Sequence, residues 1–313
     1  MNLKVLGPMW PQFIDGDVYK VYGNKLPADL AKMLKGYQYS ASHDQAKPEG
    51  VFRADLKFFE TAADNSVRLF NLPDHNPTHF KEVRDNFLAL FDAYYGPRAR
   101  SEYLVVRQVG AAAAYSHDFG HCGATLIRDA PANQRPRGYS LDQTLEWASA
   151  SEFIKLLQKR SYALPAQVFS GALILGTTFG AKDAAERSFR FVPAITSQHR
   201  ITLMIRVADS RPMGGIEEFI TKGANVLIGE VPATSKRVTS FKELIEKQLG
   251  YIGYVKDIQS KLDKVTNGVV SRLGWAAQAK EIESELNKLH KGDNKKLEAW
   301  ARGHLAERWK VKI

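Results

Sequence analysis

The chain has a single cysteine, Cys122, in 313 residues. An intrachain disulfide and a thiolate cluster are both excluded, so imidazole and carboxylate are the metal ligands on offer, donors that suit zinc, manganese, iron or magnesium. No uninterrupted apolar run approaches bilayer length, and the opening MNLKVLGPMWPQ lacks the apolar core of a signal peptide. No transmembrane segment is expected, and the location expected is cytoplasmic. Sustained apolar/polar alternation, internal repeats and a glycine-rich nucleotide loop are also missing. Half-buried strands, a repeat architecture and a glycine-cradled nucleotide site are thereby disfavoured.

Acidic residues are outnumbered, 34 Asp and Glu against 44 Lys and Arg, giving a formal charge of +10. The excess suits acidic partners such as nucleotide, nucleic acid or anionic membrane, and charge alone does not choose among them. It is densest at the end of the chain, from Lys288 to Lys312. A solvated helical face is the plainer explanation there, so nucleic acid is possible but not favoured. Oligomeric state is left open.

What is present is mostly helical periodicity. From His79 onward, Val83, Phe87, Leu90, Phe91 and Tyr94 recur at three- and four-residue steps until Gly96-Pro97. Helices are also expected over 141–158, 165–179, 199–209, 216–230, roughly 240–265, near 275–290 and 294–310, with Gly292 at the last turn. The small residues Ala111 to Ala114 permit close packing just before a His-Asp pair. The expected fold is all-α.

Four of the eight histidines lie in two short clusters, HNPTH at 75–79 and HDFGH at 117–121. Asp209, in IRVADS, follows 91 residues after Asp118. His79, His117, Asp118 and Asp209 form a credible ligand set for a divalent metal, contributed by different helices of a bundle. Hydrolysing a phosphodiester needs a strong nucleophile, charge on the phosphoryl oxygens and a proton for the leaving alkoxide. Two metal ions about 3.5–4 Å apart can meet the first two needs.

The order H…HD…D resembles the HD-domain superfamily of metal-dependent phosphohydrolases. HNPTHFKEV resembles the His-Asn-x-x-His-x-x-x-Val motif of class I 3′,5′-cyclic-nucleotide phosphodiesterases. HDFGH, LEWASASEFIKLL, ALILGTTF, IRVADSRP and EKQLGYIGYV are similar to further elements of that catalytic domain, and the likeness spans about residues 70–260.

The resemblance implies an HD-type bundle with a two-metal site between helices. It divides the chain into an N-terminal helical and loop cover (1–65), a catalytic core (66–265) and charged C-terminal helices (266–313) packed on or extending from the core. The implied activity opens a cyclic nucleotide to the linear monophosphate by a metal-bridging hydroxide, with two divalent ions. His79, His117, Asp118 and Asp209 would ligate the first ion, Asp118 would bridge to the second, and His121 and Glu146 would act around the second. His75 would be the general acid, oriented by Glu230. Gln248 would read the base edge and Tyr251 would stack on the base.

Departures accompany the likeness. Gly120 stands where a second aspartate is usual, Thr177-Thr178 replaces a Thr-Asp pair, and Tyr251 replaces a phenylalanine. A packed or surface role is the alternative for each residue taken singly, and Glu146 could instead pair with Arg160. Two other functions compete: an HD phosphohydrolase acting on a non-cyclic nucleotide, and a metal-stabilised nucleic-acid-binding protein without turnover.

Overall fold

The computed structural model describes residues 47–68, 72–119, 141–162, 164–175, 177, 196–210, 214–230, 238 and 240–309. Among them are eleven α-helices and no strand. In chain order these are α1 (Glu49–Val67), α2 (Pro77–Tyr95), α3 (Leu104–Tyr115), α4 (Leu141–Lys159), α5 (Leu164–Leu175), α6 (Thr196–Asp209), α7 (Ile216–Ala224), α8 (Phe241–Thr266), α9 (Val269–Arg272), α10 (Trp275–Lys291) and α11 (Lys295–Trp309). None is long and apolar enough to cross a membrane.

Local chemistry sets several boundaries. Asn76 caps α2: its Oδ1 accepts from the backbone N–H of Thr78 at 2.9 Å and of His79 at 3.3 Å, and Pro77 occupies the first helical position. Ser240 caps α8 by accepting from the Glu243 N–H at 3.2 Å. The chain leaves α10 through Gly292 at φ 78°, a left-handed conformation that favours glycine.

Two apolar clusters share α8. Its later residues Ile258 and Leu262 join α1 to α6 around Phe59, Phe87, Phe91, Phe153, Leu173 and Met204. Its earlier residues Leu244, Ile245, Ile252 and Val255 pack with α7, α10 and α11. Burial of about 25 cal/mol per Å² of apolar surface is the main force holding such helices together.

Some expectations are revised. The segment 216–230 is not one α-helix: it is α-helical to Ala224 and then widens into a π turn, Asn225–Gly229. The apolar helix expected to reach 179 ends at Leu175, and Thr177 lies in a turn with its hydroxyl bonded to the Ile174 carbonyl at 2.7 Å. Arg160 pairs with the buried Asp55, which Lys47 also contacts at 2.6 Å. The alternative pairing of Arg160 with Glu146 involves a side chain that lies outside the described residues. Residues 1–46 lie outside the described residues, while α1 is built into the larger cluster through Phe59.

Helix α3 approaches α2 closely because Gly110 has no side chain. A Cβ there would lie 2.3 Å from Cζ of Phe87, a ring that is fully buried. Alanine would gain about 1 kcal/mol of helix propensity, yet an immovable ring opposes it and overpacking costs about 1–3 kcal/mol. Gly110→Ala is therefore expected to lower stability. Its denaturation midpoint checks the sign: a midpoint at or above wild type would mean the ring yields.

Candidate metal centre

Three chain segments converge at one end of the α2, α3 and α6 contact. The Asn76 cap fixes the first turn of α2 and with it His79. The tight turn after α3 presents His117 and Asp118, with the Phe119 N–H donating to the Ser116 carbonyl at 3.1 Å. Asp209 ends α6, and Asn86 of α2 ties that end down by donating to the Ala208 carbonyl at 3.2 Å. The ligand-bearing ends are thus joined by buried polar contacts as well as by packing.

His79, His117 and Asp118 each offer a ligand atom within 4.8 Å of the others, a group that could hold a metal ion. Asp209 adds a fourth atom, its Oδ1 lying 3.3 Å from His79 Nε2 and 3.2 Å from His117 Nε2. Asp118 Oδ2 is 3.5 Å from His79 Nε2 and 2.8 Å from His117 Nε2. Metal–ligand bonds of about 2.0–2.2 Å place neighbouring ligands about 2.8–3.6 Å apart at octahedral to tetrahedral angles, so the spacings fit a shared ion.

His117 supplies the fit test. Its Nδ1 is 2.9 Å from the Ala114 carbonyl, a pure acceptor, so Nδ1 carries a proton and Nε2 points at the two carboxylates. Although Asp118 Oδ2 is within hydrogen-bonding distance, the direction is wrong, and the buried Nε2 has no hydrogen-bond partner. With Nδ1 engaged by that carbonyl, Nε2 is the nitrogen that can bind an ion in place of its proton, and its approach to two carboxylate oxygens is the arrangement of ligands around a cation. The residues fit a divalent ion.

His75 sits at the edge of this group. Its Nδ1 contacts Glu230 Oε2, and its Nε2 lies 3.8 Å from Asp118 Oδ2. Glu230 is buried and doubly engaged, since Oε1 accepts from the backbone N–H groups of Asp74 at 2.8 Å and His75 at 3.0 Å. The π turn delivers it: the Glu230 N–H reaches back five residues to the Asn225 carbonyl at 2.9 Å, and Asn225 donates to the Pro73 carbonyl at 3.3 Å. His117 is 1% exposed while His75 and Asp209 are 20% and 22% exposed, so the group opens to solvent on the His75 and Asp209 side.

The charges are strongly coupled. Burial disfavours charge on every member, but carboxylates and imidazoles meet at contact distance and outweigh it. His75 is held up at about 10 by Asp118 and Glu230, despite its burial. His79 is likewise raised and His117 well raised by Asp118 and Asp209, again against burial. In turn the imidazoles hold Asp118, Asp209 and Glu230 below the usual carboxylate range, although burial pushes the other way. Asp74 is the exception, raised by burial that the nearby imidazoles do not offset.

A metal must therefore displace protons, because only neutral imidazole ligates. Metal uptake at neutral pH is expected to release protons and to strengthen as pH rises. Calorimetric titration with Mn²⁺ in buffers of different ionisation enthalpy checks this, and buffer-independent heats would contradict it. The metal-free protein follows the opposite sign. Raised imidazoles give stability that is whole below about 6.5 and lost as pH rises toward 10, and lowered carboxylates give stability lost as pH falls below the ordinary aspartate value near 3.8.

Other expected site residues stand elsewhere. Gln248 is 1% exposed, and its Nε2 donates to the Ile220 carbonyl at 3.2 Å beneath Gly223. Its amide is not at an open surface in this structure, where it ties α8 to α7. Tyr251 stacks with Phe219 at 5.9 Å and with Tyr254 at 6.1 Å, so its ring is part of an aromatic row. Burial and the nearby Asp209 push its hydroxyl up. His121 lies outside the described residues, and so does the side chain of Glu146 on α4.

Sequence reasoning overlooked Asp74, Asn76 and Asn86. Only Asn76 had a local signal, an asparagine directly before Pro77 at a helix start. No family model, curated protein or solved structure matches the chain.

Proposed function

We propose that the protein is a metal-dependent phosphohydrolase that opens a cyclic nucleotide phosphodiester to the linear nucleoside monophosphate. The carrying observation is His75, held by the buried Glu230 on one side and aimed past Asp118 at the His79, His117 and Asp118 group on the other. An imidazole so placed is a proton donor beside a metal-ligand set, which a purely structural metal site has no use for.

His79, His117 and Asp118, with Asp209, would hold the first divalent ion; Asp118, His121 and Glu146 would serve a second. Zinc, manganese, iron and magnesium all suit these donors. When bound, such ions supply positive charge for the phosphoryl oxygens and a water acidified to about 7. The remaining work belongs to the chain. Glu230 accepts from Nδ1 of His75, which leaves the Nε2 proton directed into the site, and its charge favours the imidazolium. Nε2 then gives that proton to the departing 3′ oxygen, a poor leaving group as an alkoxide. Asp209 and His75 border the open side through which the phosphate arrives.

The test is product analysis from cyclic mono- and dinucleotides with Mn²⁺ or Mg²⁺. A linear monophosphate without inorganic phosphate is expected. Inactivity toward every cyclic substrate with turnover of nucleoside mono- or triphosphates would transfer the site to non-cyclic nucleotides. Metal binding with no turnover of either class would overturn the enzyme assignment.

A further inference from the structure

Trp309, at the end of α11, is 79 residues from Glu230 and 234 from His75, yet it lies against both segments that carry them. The contact is visible at Gly229. A Cβ built there would be 2.4 Å from Trp309 Cη2, 2.8 Å from Trp309 Cζ3 and 2.8 Å from Pro73 Cγ. The indole edge and the proline ring thus meet over the bare backbone of the residue preceding Glu230, two residues before His75.

Both flanks of this contact matter. Pro73 is the hub of the His75 segment, its carbonyl accepting from Asn76 at 3.1 Å and from Asn225 of the π turn at 3.3 Å. Gly229 closes that turn and hands the chain to Glu230. The buried indole N–H of Trp309 has no hydrogen-bond partner, so the ring is held there by packing and by the Arg308 guanidinium over its face at 5.4 Å. Helix α11 is otherwise seated by Leu297, Ala301 and Leu305 in the smaller apolar cluster, and His304 meets Thr221 of α7 at 3.3 Å.

We infer that Trp309 is a positioning residue for the proton donor: by wedging Gly229 against Pro73 it sets the register between Glu230 and His75. This rests on the phosphohydrolase proposal above. It assigns the C-terminal helix to the site, although its composition suggested only a solvated charged face. Of the metal ligands, His117, Asp118 and Asp209 come from other segments, and His79 stands on α2, which Phe80, Val83 and Phe87 anchor in the core independently of Pro73.

Leaving-group chemistry isolates the effect. A cyclic nucleotide expels an alkoxide that needs His75, whereas bis(p-nitrophenyl) phosphate expels a stabilised phenolate that needs no proton. Displacement of a reacting group by about 1 Å can cost roughly 10²-fold. In full-length Trp309→Ala, kcat for the cyclic nucleotide is expected to fall roughly ten- to hundredfold. KM, Mn²⁺ affinity and turnover of the nitrophenyl diester should stay within about twofold of wild type.

Trp309→Phe should restore most of the lost rate, since no indole hydrogen bond is sacrificed. Gly229→Ala, which pries the same contact open from the other side, should reproduce the loss. Equal losses on both substrates, or unchanged kcat in Trp309→Ala and Gly229→Ala alike, would overturn the inference. If wild type opens no cyclic nucleotide, the phosphohydrolase proposal itself is at fault. The Nδ1 proton resonance of His75 then decides: present and slow to exchange in wild type, it should be lost in Trp309→Ala, and its persistence would count against the wedge.

Discussion

Asp118→Ala is expected to reduce hydrolysis to background and to strip the protein of its metal in the same step. Among the described residues, Asp118 is the one carboxylate that stands near all three imidazoles, at 2.8, 3.5 and 3.8 Å from His117, His79 and His75. Neither imidazole ligand can replace its charge, and among the described residues Asp209 is left as the one carboxylate in contact with both His79 and His117. Metal ions contribute several kcal/mol of transition-state stabilisation, so their loss alone exceeds about 10³-fold in rate. Metal content by mass spectrometry and turnover of the same sample should fall together. Metal retained at full stoichiometry in an inactive variant would separate Asp118 from binding and leave it a different role. Asp118→Asn keeps the volume and removes the charge, so it distinguishes electrostatics from packing.

His75→Ala should leave metal content intact and lower kcat for a cyclic nucleotide by about 10²–10⁴. The sign of the accompanying pH dependence follows from the site. As the proposed proton donor His75 would work protonated, so activity is expected to be lost as pH rises through its pKa. In the metal-free molecule Asp118 and Glu230 overcome burial and hold that pKa near 10, and a neighbouring cation lowers it. Glu230→Gln removes the charge and leaves one oxygen where two now serve His75 Nδ1 and the backbone N–H groups of Asp74 and His75, so kcat should fall and the alkaline limb of the rate profile should move to lower pH. A limb that stays in place would mean another group supplies the proton.

Residue type and spacing made the outline of this site readable. Two histidines flanking Asn76-Pro77, a His-Asp pair after a run of alanines and a late aspartate at a helix end are local patterns, and helical periodicity put each on the right element. The interior of the site was harder. Glu230 meets His75 across 155 residues, and the contact depends on a π turn that periodicity reads as plain helix. Gln248 has the same amphipathic neighbourhood whether its amide faces a ligand or a carbonyl, and only the packing of α7 over α8 decides for the carbonyl. The Gly110 and Phe87 interlock and the Trp309 contact are likewise properties of two helices at once, absent from either alone.

The π turn has a consequence for which changes this chain can tolerate. Each residue of an α-helix rotates the chain by about 100°, and a π turn is in effect one residue too many for regular winding. Deleting a single residue between Asn225 and Gly229 would turn the bond from the Glu230 N–H to the Asn225 carbonyl into an ordinary α-helical one and leave Glu230 facing His75, whereas inserting a residue would turn Glu230 about 100° away. The shortened helix would be the more regular one, and the lengthened one would part Glu230 from His75. Val226, 37% exposed, can change its side chain with little penalty. What the segment cannot accept is a further residue.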